Sequence, residues 1–265
     1  MAVFLASDGT EIAYEVWERD SELPLVLLHH GFIASGQSNW EAPGIVAALT
    51  GAGRRVATLD ARGHGASGKP HDPAAYGEAR MARDVSALLD LLGEEQVDLV
   101  GYSMGAIVAL LTAVRDRRVR RLVVGGVGAG VPECGGVDSR VIGGPALQHA
   151  LRTDDPGSIT DPTAAGFRAF VDAVGGDRAA LAAQAASAHA EPIPLDRIEA
   201  PTLVLAGRDD PLAARPEVLA AAVPGATLRT VAGDHFGALR DPDFVGHLLG
   251  FLDHAPAPAS TPDPA

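Results

Sequence analysis

The segments 24–31 (PLVLLHHG), 54–60 (RRVATLD), 96–103 (QVDLVGYS), 120–127 (RRLVVGGV) and 201–207 (PTLVLAG) are short, nearly continuous apolar runs. A strand covered on both faces of a sheet has this pattern, because neither face meets water. The segment 10–18 (TEIAYEVWE) instead alternates apolar and polar residues after the turn SDGT, which predicts a half-buried strand. Helical patterns separate the runs. In 78–93, Met81, Val85, Leu88, Leu89 and Leu92 fall on one face of a helix, and Gly93 supplies a stop. Buried strands alternating with amphipathic helices predict a mainly parallel sheet flanked by helices.

The rhythm breaks between residues 131 and 196, where no parallel-strand run occurs. The stretches 144–152, 162–174 and 177–190 read as helices, which predicts a helical insertion over one end of the sheet. The expected division is a core of 1–130 and 197–254, an insertion at 131–196, and a disordered Pro/Ala-rich tail at 255–265. There are no internal repeats.

Composition narrows the picture. The chain has 265 residues, 47% of them hydrophobic, which suffices for one α/β domain with a sizeable core. A formal net charge of −13 disfavours nucleic acid and anionic lipid as partners. Cys134 is the single cysteine, so no intrachain disulfide can form. The N-terminus lacks a basic leader pattern, and the apolar stretches fall short of the ~20 residues of a membrane span. The expectation is a soluble, cytoplasmic protein. No His/Cys cluster has metal-ligand spacing.

The chemistry concentrates at 101–106, GYSMGA, where a buried strand meets an apolar helix. Gly101, Ser103 and Gly105 fit G-x-S-x-G. A serine on so sharp a turn sits on strained backbone, and small flanking residues let neighbouring chain come close. The helix that follows points N-terminal amides at developing negative charge. Serine is a weak nucleophile and needs a base, which in turn needs an orienting acid. In a doubly wound sheet such partners sit just past the C-terminal ends of later strands. The run 228–233 (LRTVAG) leads to His235, and 201–207 leads to Asp209 and Asp210.

These residues resemble the α/β-hydrolase superfamily, over nearly the whole chain. The segments HHGF (29–32), DARGHGAS (60–67), GYSMGA (101–106), GRDDP (207–211) and GDHF (233–236) stand in the expected order and spacing. The resemblance implies the α/β-hydrolase fold, with 131–196 as a small helical cap. It implies Ser103 as nucleophile, His235 as general base and Asp210, three residues after Gly207, as the acid. It also implies an oxyanion hole made by the backbone N–H groups of Phe32 and Met104. Some members carry the acid one strand earlier, where this chain reads GVGAGVP with no acid before Glu133. The implied reaction is hydrolysis of an ester, lactone or thioester with a largely apolar acyl group, needing no cofactor. Relatives that open epoxides or remove halogens carry aspartate where Ser103 stands.

Other readings compete. Related triads serve elimination, as in menaquinone biosynthesis, or C–C bond hydrolysis or perhydrolysis, and plant hormone receptors use the fold to bind ligand without turnover. Ser103 has the alternative of capping a helix, and His235 that of a surface loop histidine. His29 and His30 flank the implied oxyanion turn, and His64 belongs to a turn near it. His149 and His189 read as solvated helix positions with possible access to substrate. GGVGAG (125–130) fails G-x-G-x-x-G on spacing, and Pro132 with Gly135 and Gly136 argues against a helix starting there, leaving a flexible connection. RDRRVRR (115–121) reads as cations placed on the C-terminal end of the helix after Ser103.

Overall fold

The computed structural model describes residues 1–17, 20–141 and 143–253, so the tail expected at 255–265 lies outside the described residues. The strands are β1 (Ala2–Leu5), β2 (Glu11–Trp17), β3 (Leu25–His29), β4 (Val56–Leu59), β5 (Val97–Tyr102), β6 (Val119–Gly125), β7 (Thr202–Gly207) and β8 (Thr227–Val231). They form one eight-stranded sheet in the order β1-β2-β4-β3-β5-β6-β7-β8. The β1–β2 and β2–β4 pairs are antiparallel, and every other pair is parallel. The continuous apolar runs all lie in the parallel part. β3, β4, β5 and β7 are buried at every position, whereas the edge strands β1 and β8 are largely exposed. β1 is an addition to the sequence reading: its residues AVFL are all apolar, but a run of four at an exposed edge is too short to signal a strand.

The helices are α1 (Ile45–Gly51), α2 (Glu78–Leu92), α3 (Met104–Ala113), α4 (Gly130–Cys134), α5 (Gly144–Arg152), α6 (Pro162–Val174), α7 (Arg178–Ala186), α8 (Pro216–Ala222) and α9 (Pro242–Asp253). Successive strand residues face opposite sides of the sheet. Leu25, Leu27 and Leu99 therefore pack with Met81, Val85 and Leu88 of α2 and with α3. Val26, Leu28 and Val100 pack on the other face with Leu49 of α1 and with Phe244 and Leu248 of α9. Gly93 ends α2 in the left-handed conformation at φ 68°, as its position suggested. Among the described residues no helix is long and apolar enough to cross a membrane.

Helices α4 to α7 all lie between β6 and β7. The first of them corrects the sequence reading, which gives GGVGAG (125–130) as a flexible connection with no helix starting there. A single helical turn starts at Gly130, and Pro132 sits in that first turn, where an N–H has no helical partner to lose. The preceding chain is tightly packed, since a Cβ at Gly128 would overlap the carbonyl of Ala214. Leu151, Val171, Leu181 and Ala182 of α5, α6 and α7 form an apolar cluster with Ile33, and Phe32 packs against it. Those helices thereby rest on the loop that leaves β3.

The arginines of 115–121 also differ from expectation. None lies in the last turn of α3. Arg118 pairs with Asp90 and Asp116, Arg120 pairs with Asp98, and Arg121 donates to the Leu252 carbonyl. Asp98 is fully buried in β5, so its demand for cations outweighs the weak pull of a helix end.

Candidate active site

Ser103 stands between β5 and α3 at φ 56°, ψ −117°, a backbone conformation that side chains rarely adopt. Its side chain does not cap the helix it precedes. The two glycines of the motif have a steric cause. A Cβ at Gly101 would overlap the Gly105 carbonyl, and a Cβ at Gly105 would overlap the carbonyls of His29 and His30. The strand, the turn and the start of the helix are thus pressed against one another and against the end of β3. Gly31 lies equally close, because a Cβ there would sit 3.2 Å from the Ser103 Cβ.

The loop after β3 is held rigidly. Gly31 N–H donates to Asn39 Oδ1 at 2.9 Å. His30 Nε2 accepts from the Ala61 N–H at 2.9 Å, so its hydrogen is on Nδ1, which donates to the Gly31 carbonyl at 2.7 Å. Burial, and then the neighbouring His29, push the His30 pKa down. The rings of His64 and Phe32 meet 5.7 Å apart, edge to face. Ile33 has φ 70°, an outlier for a β-branched residue, so strain is present here as well as at Ser103. The N–H groups of Phe32 and Met104 have no hydrogen-bond partner among the described residues.

His235 follows β8, and its Nδ1 lies 2.8 Å from Asp210 Oδ2. The other Asp210 oxygen accepts the Leu212 N–H at 2.9 Å. An ionised carboxylate only accepts, which puts the His235 hydrogen on Nδ1 and leaves the Nε2 lone pair free. Asp210 is 4% exposed and extended at φ −84°, ψ 108°, ahead of Pro211. Asp209 is exposed. Tyr102, next to Ser103, donates its hydroxyl to the His235 carbonyl at 2.6 Å. Glu133, the alternative acid, is exposed and paired with Arg140 and Arg215.

Two cavities meet at Ser103. The first is bordered by Phe32, Met104, Leu147, Phe167 and Leu212, together with Glu78 and Gln184. The second is bordered by Phe32, Asn39, Tyr102, Phe170, His235 and Phe236. Residues 32, 103, 104, 210 and 235 are thus brought to one place. His149 and His189 border neither cavity. His149 is exposed, with Nε2 3.0 Å from Ser158 Oγ. His189 lies beyond the end of α7 and not on a helix, and its N–H donates to Glu78 Oε2 at 2.7 Å. Asn39, Tyr102, Glu78 and Gln184 were not singled out from sequence. Glu78 opens a helix, where an acid ordinarily faces water; nothing local signals its burial.

Comparison with known proteins identifies the family of the fold. Residues 24–133 match the family described as alpha/beta hydrolase fold. The mouse sn-1-specific diacylglycerol lipase ABHD11 is 41% identical over 114 residues, which is 43% of this chain and 36% of that protein. Epoxide hydrolase B of Mycobacterium tuberculosis is 43% identical over 90 residues, 34% of this chain and 24% of that protein. The chain thus spans well under half the length of these curated relatives. The crystal structure of a hydrolase from Pseudomonas aeruginosa PA01 superposes with a TM-score of 0.74 at 32% identity, covering 96% of this chain and 98% of that one. Similarity that runs end to end at this identity, on an eight-stranded sheet with a strained serine turn after β5, places the chain in the α/β-hydrolase family.

Proposed function

We propose that the protein is a serine hydrolase that cleaves a carboxylic ester, lactone or thioester through an acyl-enzyme on Ser103. The observation that carries this reading is Ser103 on its strained turn at the junction of two cavities, one of them bordered by His235, whose Nδ1 is tied to Asp210. His235 Nε2 takes the proton of Ser103 as Oγ attacks the acyl carbonyl. The Phe32 and Met104 N–H groups hold the oxyanion, and Asp210 stabilises the imidazolium and fixes its orientation. Collapse breaks the bond to the leaving oxygen or sulfur, which receives the proton from His235. Water attacks the acyl-enzyme, gives its proton to His235, and the second collapse returns that proton to Ser103 and frees the acid.

The proton route assigns the cavities. The leaving group must lie beside His235, hence in the second cavity. The acyl chain then enters the first, which is mostly apolar, under a cap formed by α5 to α7. The name of the mouse lipase supports ester chemistry. The epoxide hydrolase match is set aside because family members with that activity carry aspartate at the position of Ser103. A fluorophosphonate probe should label Ser103 alone, and Ser103→Ala should lose labelling and about 10⁶-fold in turnover of an aryl ester. Full labelling of the Ser103→Ala protein would overturn the reading.

A further inference from the structure

The first cavity contains a group that simple ester hydrolysis does not need. Glu78 is 4% exposed and borders the same cavity as Ser103 and Met104. Its Oε2 accepts the His189 N–H at 2.7 Å, while Oε1 faces the Gln184 amide at 3.4 Å. Gln184 is 1% exposed, and its Nε2 also lies 3.7 Å from Met104 Sδ. Its Oε1 accepts the Gly77 N–H at 3.3 Å. These Gln184 contacts are long, so the amide can give a better bond to a ligand without losing a good one. Among the described residues no lysine, arginine or histidine borders the cavity. Asp138, the other acid there, is held by Arg140 through bonds of 2.8 and 2.7 Å.

Resting on the proposed acyl-enzyme reading, we infer that Glu78 and Gln184 select substrates whose acyl chain carries a hydroxyl group. A hydroxyl donates and accepts through one atom, matching a carboxyl acceptor beside an amide donor. A carboxylate there would gain at most the Gln184 amide bond while lying beside Glu78 and Asp138, with no cation bordering the cavity to offset its charge. The surrounding Phe32, Leu147, Phe167 and Leu212 accept only hydrocarbon for the rest of the chain. Burial raises the Glu78 pKa to about 7, and no charged side chain contributes to that shift. The carboxyl is therefore available in a form that tolerates a neutral partner. Anchoring the loop at His189 uses one Glu78 oxygen; the other has only the long Gln184 contact, which a ligand hydroxyl can replace.

The test is kcat/KM for aryl butanoate against its 2-, 3- and 4-hydroxy analogues and against the matching amino ester. The wild-type protein should favour one hydroxy isomer over butanoate by about 10- to 100-fold, the range of one buried hydrogen bond to a carboxyl group. Glu78→Leu should bring that ratio close to one, and Glu78→Gln should retain part of it. Loss of a mere anchor would slow all substrates alike and leave the ratio unchanged, which would overturn the inference. So would a wild-type protein indifferent to every hydroxyl, or one that prefers the amino ester. If Glu78→Leu does not fold, Gln184→Leu and Glu78→Gln read the same ratio. Fluorophosphonate labelling of Ser103 separates the two levels. Labelling without hydroxyl preference sinks this inference alone, and no labelling sinks the hydrolase reading and this inference with it.

Discussion

Asp210 gives one oxygen to His235 and the other to the Leu212 N–H, while Asp209 lies in solvent with its N–H on the Gly233 carbonyl. Asp209 lies in a turn closed by the Asp210 N–H on the Gly207 carbonyl, which leaves its side chain exposed while Asp210, extended and buried, reaches the imidazole. Asp210→Asn should lose about 10⁴-fold in turnover, because the imidazole loses both its tautomer and the partner of its charged form. Asp209→Asn should stay within about tenfold, as a surface change does. Turnover of one aryl ester by the two folded variants decides between them, and a crippled Asp209→Asn would reverse the assignment. The same scale explains what was legible. Asp210 could be counted from Gly207, because strand end, glycine and acid are neighbours in the chain. Glu78 could not, because its burial depends on residue 184, 106 positions away.

At the scale of elements, the strand-turn-helix around Ser103 is a local object and was readable in full. Of the helices between β6 and β7, α5 to α7 were readable as helices, with α5 and α6 spanning the segments expected of them. Their destination was not, since an amphipathic face does not name what it covers. Their apolar cluster with Ile33 and the contact of Phe167 with Phe32, 6.4 Å between ring centroids, put them on the loop after β3. Replacing 137–190 with a short linker should therefore change the preference for acyl length while Ser103 still reacts with the probe. An unchanged acyl-length profile in a folded protein would show that these helices play no part in substrate choice.

For the molecule as a whole, protonation couples the site to stability. Burial lowers the pKa of His29 to about 4 and of His64 to about 3, and lowers that of His30 as well. The unfolded chain takes up these protons from about pH 6.5, before the fold does. Their contribution is present above that pH and is lost as pH falls toward the folded values. Glu78 runs the other way: its pKa is raised from 4.5 to about 7, so its contribution is complete below 4.5 and is lost as pH rises through 7. Three histidines outweigh one glutamate, and the thermal midpoint should fall between pH 7 and pH 5. His64→Gln should flatten that slope and Glu78→Gln should steepen it. A midpoint that does not move over this range would contradict the account.

The sequence by itself determined the parallel strands, the main helices, the serine turn and the positions of Asp210 and His235. Each is written in neighbouring residues: an apolar run, a helical period, a glycine where backbones touch, an acid or histidine just past a strand end. Only the tertiary structure decided the edge strand β1, the single turn at Gly130–Cys134, the pairing of the 115–121 arginines, and the meeting of Glu78 with Gln184 in the cavity beside Ser103. Two of these hang on partners far along the chain, Asp98 for Arg120 and Gln184 for Glu78, while β1 and the Arg118–Asp116 pair use near neighbours whose pairing the residue pattern does not announce. A residue's own type says which bonds it can make, but its burial and its partner are set by whatever the fold brings against it.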